Sequence, residues 1–301
     1  MMQQLNPRVD FAFKKLFGSE ENKAILIAFI NAILPENEQI AEVKLLNPYN
    51  QPSRVGEKLS ILDIKATDKQ GKRYNIEMQV TDQVYYNQRA LYYWAKFYSD
   101  QLLQGKAFSD LNKTISIHIL NFNYFDEPDY HNAFKILNTR THKCYFEDLE
   151  LHFIELEKFD KSIEAITTAI ERWTTFLRRA GEYKSSTLPD TLRCDPAIVQ
   201  AMTSLEQMHL TDEEYELYEG QLKWLRDEAG ALEKKGMVAY EAGKQEGLQQ
   251  GIEQGIEQGI AKEKIDIARN LLTSGLDAPF VAQITSLSVE TVKGIEAKLK
   301  K

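Results

Sequence analysis

The stretch ILDIKATDKQGKRYNIEMQV, Ile61 to Val80, reads as two short strands joined by a tight turn. Side chains alternate faces along a strand. Ile61, Asp63 and Lys65 therefore share one face of the first strand, and Asn75, Glu77 and Gln79 share one face of the second. The other face of the second strand is Tyr74, Ile76, Met78 and Val80. A turn symmetric about Gln70 sets Asp63 opposite Glu77 and Lys65 opposite Asn75. Directly opposed residues have Cβ atoms roughly 4.5–5.5 Å apart, and two like charges so placed repel unless something bridges them. A hard divalent cation such as Mg²⁺ would do so with both carboxylates, a carbonyl and water. The competing reading is a pair of solvated acids on the outer face of an ordinary half-buried hairpin.

Around this hairpin the pattern is mixed. Residues 9–17 and 21–34 have helical apolar spacing, separated by Gly18 and closed by Pro35. Residues 41–47 read as a strand, followed by a loop with Pro48, Pro52 and Gly56. A long aromatic-rich helix is expected over 84–104, ending at Gly105. Strands are expected over 114–122, 131–138 and 150–157. The order predicts an α/β core with helices on a central sheet. Helices then follow at 161–180, 196–208 and 212–235.

The segment GKQEGLQQGIEQGIEQGIAKEK (Gly243–Lys264) repeats glycine every fourth residue, with Leu248, Ile252, Ile256 and Ile260 beside the glycines. On one helix each set forms a drifting stripe. It reads either as a self-association helix or as a low-complexity spacer. The tail reads as short helices, with Gly275 ending the first and Asp277 and Ser288 as N-caps of the next two. A mini-core of Leu276, Phe280, Ile284, Leu287, Val292 and Ile295 is expected there. The tail's outline suits a helix-turn-helix, but its last helix is poor in base-reading residues, which favours a packing module.

The chain has 301 residues and a net charge of −8. Residues 1–150 carry 18 basic against 19 acidic residues, and residues 151–301 carry 19 against 26. A polyanion would have to bind a local patch, most naturally in the first half. Cys144 and Cys194 are the only cysteines and lack metal-type spacing, which fits a reducing cytosol. No signal-peptide pattern or membrane-length apolar run is read, so the expected location is cytoplasmic. The five histidines are scattered, and no HExxH, P-loop or nucleophile motif is present.

Asp63 followed by Glu77-Met78-Gln79, on adjacent strands flanked by helices, resembles the PD-(D/E)XK nuclease signature. NPRVDFAFKKLFG (Asn6–Gly18), the hairpin and YYNQRALYYWAKFYSDQL, in that order and spacing, resemble the Rpn family of recombination-promoting nucleases and transposase-like proteins over residues 5–160. The resemblance implies a restriction-endonuclease-like α/β core with a central mixed sheet, and a helical C-terminal extension. It implies a DNA endonuclease in which Asp63 and Glu77 bind Mg²⁺ (or Mn²⁺), with Asp10 of the first helix as a third ligand. The alternative for Asp10 is that it begins the helix. Gln79 stands where the superfamily has Lys and carries no charge. Lys65, Lys14 or Arg89 would then supply the cation, with Lys65 favoured by its place on the acid face, or else acting as a surface ion-pair partner. Lys14, Tyr85 and Arg89 are candidates to grip the DNA.

The expected organisation is a nuclease-like domain over 1–180, a helical extension over 181–235, a glycine-repeat linker over 236–263 and a helical module over 264–301. DNA is the expected partner, with a homo-oligomer through the repeat helix and tail as a further one. The rival functions are a DNA- or partner-binding protein without catalysis, and a regulatory oligomer acting through residues 240–301.

Overall fold

The computed structural model describes residues 5–47, 49–50, 60–61, 63–81, 85–102 and 105–299. The predicted loop with Pro48, Pro52 and Gly56 lies outside them. In chain order the elements are α1 (Asp10–Phe17), α2 (Lys23–Ile33), β1 (Lys44–Leu46), β2 (Tyr49–Asn50), β3 (Ser60–Ile61), β4 (Ile64–Thr67) and β5 (Arg73–Gln79). Next come α3 (Tyr86–Ser99), β6 (Thr114–Leu120), β7 (His131–Leu137), β8 (Cys144–Glu155), α4 (Ala169–Arg179), α5 (Asp190–Arg193) and α6 (Pro196–Gln207). The chain closes with α7 (Asp212–Thr273), α8 (Ala278–Thr285) and α9 (Val289–Leu299).

A six-stranded sheet runs in the order β1-β4-β5-β6-β8-β7. The β4–β5 hairpin is antiparallel, whereas β5–β6 and β6–β8 are parallel, so the sheet is mixed. The hairpin register pairs Ile64 with Ile76 and Lys65 with Asn75, as the symmetric turn predicts. Gly71 makes that turn possible, since its φ of +87° is the left-handed region that favours glycine. Asp68 closes it by accepting the amides of Gln70 and Lys72 on Oδ1, at 2.8 and 2.9 Å.

Strand alternation sorts the sheet into two faces. Tyr74, Ile76, Met78, Ile115, Ile117, Ile119 and Ile154 join a core with Phe13 and Phe17 of α1, Ile25 and Phe29 of α2, Trp173 of α4 and Met202 of α6. Tyr218 and Leu222, early in α7, belong to the same core. The other face is more polar and carries Asn75, Glu77, Ser116 and His118 beside Leu120, Leu151 and Phe153. Helix α3 covers it with Tyr86 and Ala90, and Trp94 Nε1 donates to the Thr114 carbonyl at 2.7 Å.

The chain forms two compact units, residues 1–228 and residues 229–301. In the first unit, the segment leading into α1 is fastened by early α7. The Asn6 amide donates to Tyr218 Oη at 2.8 Å, the Phe11 amide to Gln221 Oε1 at 3.2 Å, and Lys15 Nζ to Glu214 at 3.0 Å.

In the second unit the glycine repeat is helical throughout, with Leu248, Ile252, Ile256 and Ile260 exposed. Asp277 and Ser288 act as expected, accepting the amides of Phe280 and Thr291. The small core is Ala268, Ala278, Val281, Ala282 and Val292, with Leu287 and Ile295 against it. The expected Leu276, Phe280 and Ile284 are instead 38, 49 and 50% exposed. The buried stripe of α8 begins at Ala278, so its small residues face inward and the larger ones turn out. No helix among the described residues is long and apolar enough to cross a membrane.

Candidate metal and phosphodiester site

Asp63 sits at the last step before β4, where the hairpin register continues toward Glu77. The two acids meet through the backbone as well as by charge. The Met78 amide donates to Asp63 Oδ2 at 2.8 Å, and the Asp63 amide donates to Glu77 Oε1 at 3.3 Å. Asp63 is thus held by the strand that carries its partner, which leaves little rotamer freedom. Glu77 is buried on the face covered by α3.

Helix α1 supplies compensating charge. Lys14 Nζ lies 3.1 Å from Asp63 Oδ1 and 2.9 Å from Asp10 Oδ1, one helical turn back on the same helix face. One ammonium therefore serves two carboxylates, and Glu77 adds a third acid to the cluster. Burial sets the pKa directions of the two acids, and the excess of negative charge adds to it. Burial, with Asp10 adding to it, pushes the Asp63 carboxyl up to about 6 against the pull of Lys14 and the Met78 amide. Burial and then the Asp63 charge raise Glu77 well above the usual carboxylate range, with Arg89 opposing. For Lys14, burial pulls the pKa down but Asp63 and Asp10 outweigh it, and the net direction is up.

The remaining candidates divide. Arg89 bears on Glu77 electrostatically, and its guanidinium stands 5.3 Å from the Tyr93 ring. Gln79 is half-buried at the end of β5, and its Nε2 donates to the Thr81 carbonyl at 3.0 Å. Lys65 does lie on the acid face, but its Nζ is 4.6 Å from the Phe97 ring centre. Burial lowers its pKa, and its charged neighbours are Asp100, Arg73 and Lys96 rather than the acid pair. The cation brought to Asp63 is Lys14. Tyr85 is 71% exposed in a left-handed conformation, and its carbonyl accepts the Arg89 amide at 3.1 Å.

His118, beside Glu77, was not among the residues singled out from the sequence. His118 pairs with Glu77 across the parallel β5–β6 ladder, and Tyr86 Oη bonds His118 Nδ1 at 2.9 Å. Burial, helped by the Arg89 charge, lowers the His118 pKa to about 3, so the ring is neutral. Its Nε2, like Ser116 Oγ, is buried without a hydrogen-bond partner among the described residues. The alternation of TISIHIL placed His118 with Thr114 and Ser116 on one face. Nothing local to that strand says that this face adjoins Glu77.

No group of three or more His, Cys, Asp or Glu among the described residues is placed to hold a metal. The donor set at Asp63 and Glu77 nonetheless fits a divalent cation. Burial raises both carboxyl pKa values, with the Asp63 charge adding to it at Glu77 and the Asp10 charge at Asp63, even with an ammonium beside Asp63, and a cation would relieve that cost. Oxygen donors from carboxylates and water are what Mg²⁺ or Mn²⁺ takes.

The model of the PD-(D/E)XK nuclease family transposases matches residues 7–235. The chain belongs to this family. The match covers α1, the whole six-stranded sheet and the start of α7, and the mixed sheet with flanking helices is the fold that membership implies. No curated protein and no solved structure matches the chain.

Proposed function

We propose that the protein is a divalent-metal-dependent DNA endonuclease that hydrolyses phosphodiester bonds, with Asp63 and Glu77 holding the ion. The observation that carries this reading is the juxtaposition of two buried, mutually repelling carboxylates, with the Lys14 ammonium on one of them. The bound metal would polarise the scissile phosphate and lower the pKa of an attacking water. The chain's own groups have distinct tasks. The Met78 amide fixes Asp63 Oδ2, and Lys14 favours the ionised form of Asp63 while tying it to α1. Arg89 favours ionised Glu77. Gln79, its Nε2 already committed to Thr81, presents a carbonyl oxygen that can accept from water. Asp10 reaches this site through Lys14 and is a candidate further ligand. Mg²⁺ is the proposed ion and Mn²⁺ its substitute. A role in DNA recombination or defence against foreign DNA, in the cytoplasm, is part of the same proposal.

Cleavage of supercoiled plasmid by wild-type and Asp63→Ala protein, with Mg²⁺, Mn²⁺, Ca²⁺ or EDTA, tests the reading. Nicking or linearisation that requires both Mg²⁺ and Asp63 is expected. Cleavage that survives Asp63→Ala would refute the site. Binding of DNA without metal-dependent cleavage would refute the hydrolytic reading in favour of a binding protein on a nuclease fold, to which the uncharged Gln79 is suited.

A further inference from the structure

Beside the N-terminal end of α1 lies a cavity of about 370 Å³ lined by the bases Arg8, Lys161, Arg178 and Arg179 and by the acids Glu157, Asp160 and Glu182. Three of these cations are already committed. Lys161 pairs with Glu171, Arg179 Nη2 lies 2.8 Å from Glu182, and Arg178 donates to the Phe159 carbonyl and lies 3.6 Å from Glu157. Arg8 differs. Its Nη1 donates to the neutral Asn121 Oδ1 at 2.9 Å, and no carboxylate comes within 4.0 Å of it among the described residues. A guanidinium has several more N–H donors than that one bond uses. Arg8 is also partly buried, and burial lowers its pKa, with Arg178 adding to the effect while Glu157 and Glu182 oppose it. A half-buried guanidinium with spare donors, in a concave wall beside a second guanidinium, suits a bidentate oxyanion.

Its position gives that anion an identity. Asn121, which holds Arg8, donates its own amide to the Gln79 carbonyl at 3.0 Å. Arg8 is therefore anchored just past the carboxyl ends of β5 and β6, the end of the sheet at which Asp63 leads into β4. The same short segment thus presents Lys14 to Asp63 and Arg8 to the next strand end.

We propose that Arg8, with Arg178 behind it, seats a backbone phosphate of a nucleic-acid strand, flanking the phosphate that lies at Asp63 and Glu77. The proposal rests on the nucleic-acid reading of that acid pair and adds a contact that needs neither metal nor cleavage.

The test is fluorescence anisotropy of a short labelled duplex with full-length Asp63→Asn protein in EDTA, titrated over a range of KCl. Adding Arg8→Gln should weaken binding about three- to tenfold at low salt. It should also lower the slope of log K against log[KCl] by about 0.9, one phosphate's worth of released counterions. Arg8→Lys, which keeps the charge, should restore the slope. A slope unchanged by Arg8→Gln, in a parent that binds, would overturn the phosphate seat alone. A parent with no salt-dependent binding would overturn the nucleic-acid reading and this proposal together. Arg8→Lys with a slope as low as that of Arg8→Gln would also count against a phosphate contact, because the released counterion follows the charge, while only the affinity follows the bidentate fork.

Discussion

Replacing Asp63 by asparagine should stabilise the protein at alkaline pH. The Asp63 carboxyl is held up to about 6 from its usual 3.8, because burial and Asp10 outweigh Lys14 and the Met78 amide. A folded-state pKa above the unfolded one means that the native state binds the proton more tightly, so stability falls as pH rises between the two values. The penalty is absent below pH 3.8 and complete above about 6. At pH 8 it amounts to about 3 kcal/mol. Asparagine mimics the protonated acid: it is neutral, and its Oδ1 can still accept the Met78 amide. Urea unfolding in EDTA, followed by tryptophan fluorescence, should find Asp63→Asn more stable by about 3 kcal/mol at pH 8 and equal to wild type near pH 3.5. Mg²⁺ at a hundred times its Kd should return about 2.7 kcal/mol to the wild type and little to the variant. Equal stability at pH 8, or a gap that does not change with pH, would refute the claim that this acid is kept against the interest of folding.

Three further outcomes follow from other residues. Glu150 is buried with Lys113 at 2.6 Å, Lys135 at 3.2 Å and His152 at 3.1 Å, so Glu150→Gln should cost about 3 kcal/mol at pH 7. Burial alone would raise its pKa, but His152 and Lys113 hold it at about 2, so this contribution is present above 4.5 and fades as pH falls toward 2. An acid titration of unfolding should therefore bring variant and wild type together. Gly71→Ala forces a Cβ into a left-handed turn and to 2.9 Å from the Asn112 amide, and should lower stability by about 1–2 kcal/mol in a thermal melt. Tyr86→Phe removes the hydroxyl from His118 and should cost about 1 kcal/mol, while plasmid nicking shows whether the loosened ring disturbs Glu77.

The hairpin was readable from sequence because its information is local. A symmetric turn with a glycine, plus alternation, fixed which residues face each other, and Lys65 opposite Asn75 follows. The strands of the sheet were readable for the same reason, as was the capping of the tail by Asp277. What escaped is what depends on distant chain segments. Alternation put Lys65 on the acid face but could not say that its four-carbon stem would run toward Phe97. Lys14 was placed near the acids only through the resemblance of its segment to the family, and its contact with Asp63 depends on α1 packing beside the hairpin. His118 meets Glu77 only because β5 and β6 are parallel neighbours, and no pattern within TISIHIL encodes that. In the tail, the buried stripe of α8 was misjudged because its small residues, Ala278 and Ala282, outcompete the larger Phe280 and Ile284 for the inner face.

The fastening of the Asn6–Lys15 segment by Tyr218, Gln221 and Glu214 has a bearing on biosynthesis. The segment that carries Arg8, Asp10 and Lys14 leaves the ribosome well ahead of its hydroxyl, amide and carboxylate anchors, which are made some two hundred residues later. The sheet can assemble before then, but the segment that sets the charge around Asp63 waits for its anchors. A nascent chain, or a fragment ending before α7, would hold the two acids without a firmly seated Lys14. Any hydrolytic capacity would thus wait until the start of α7 has been made and packed against α1.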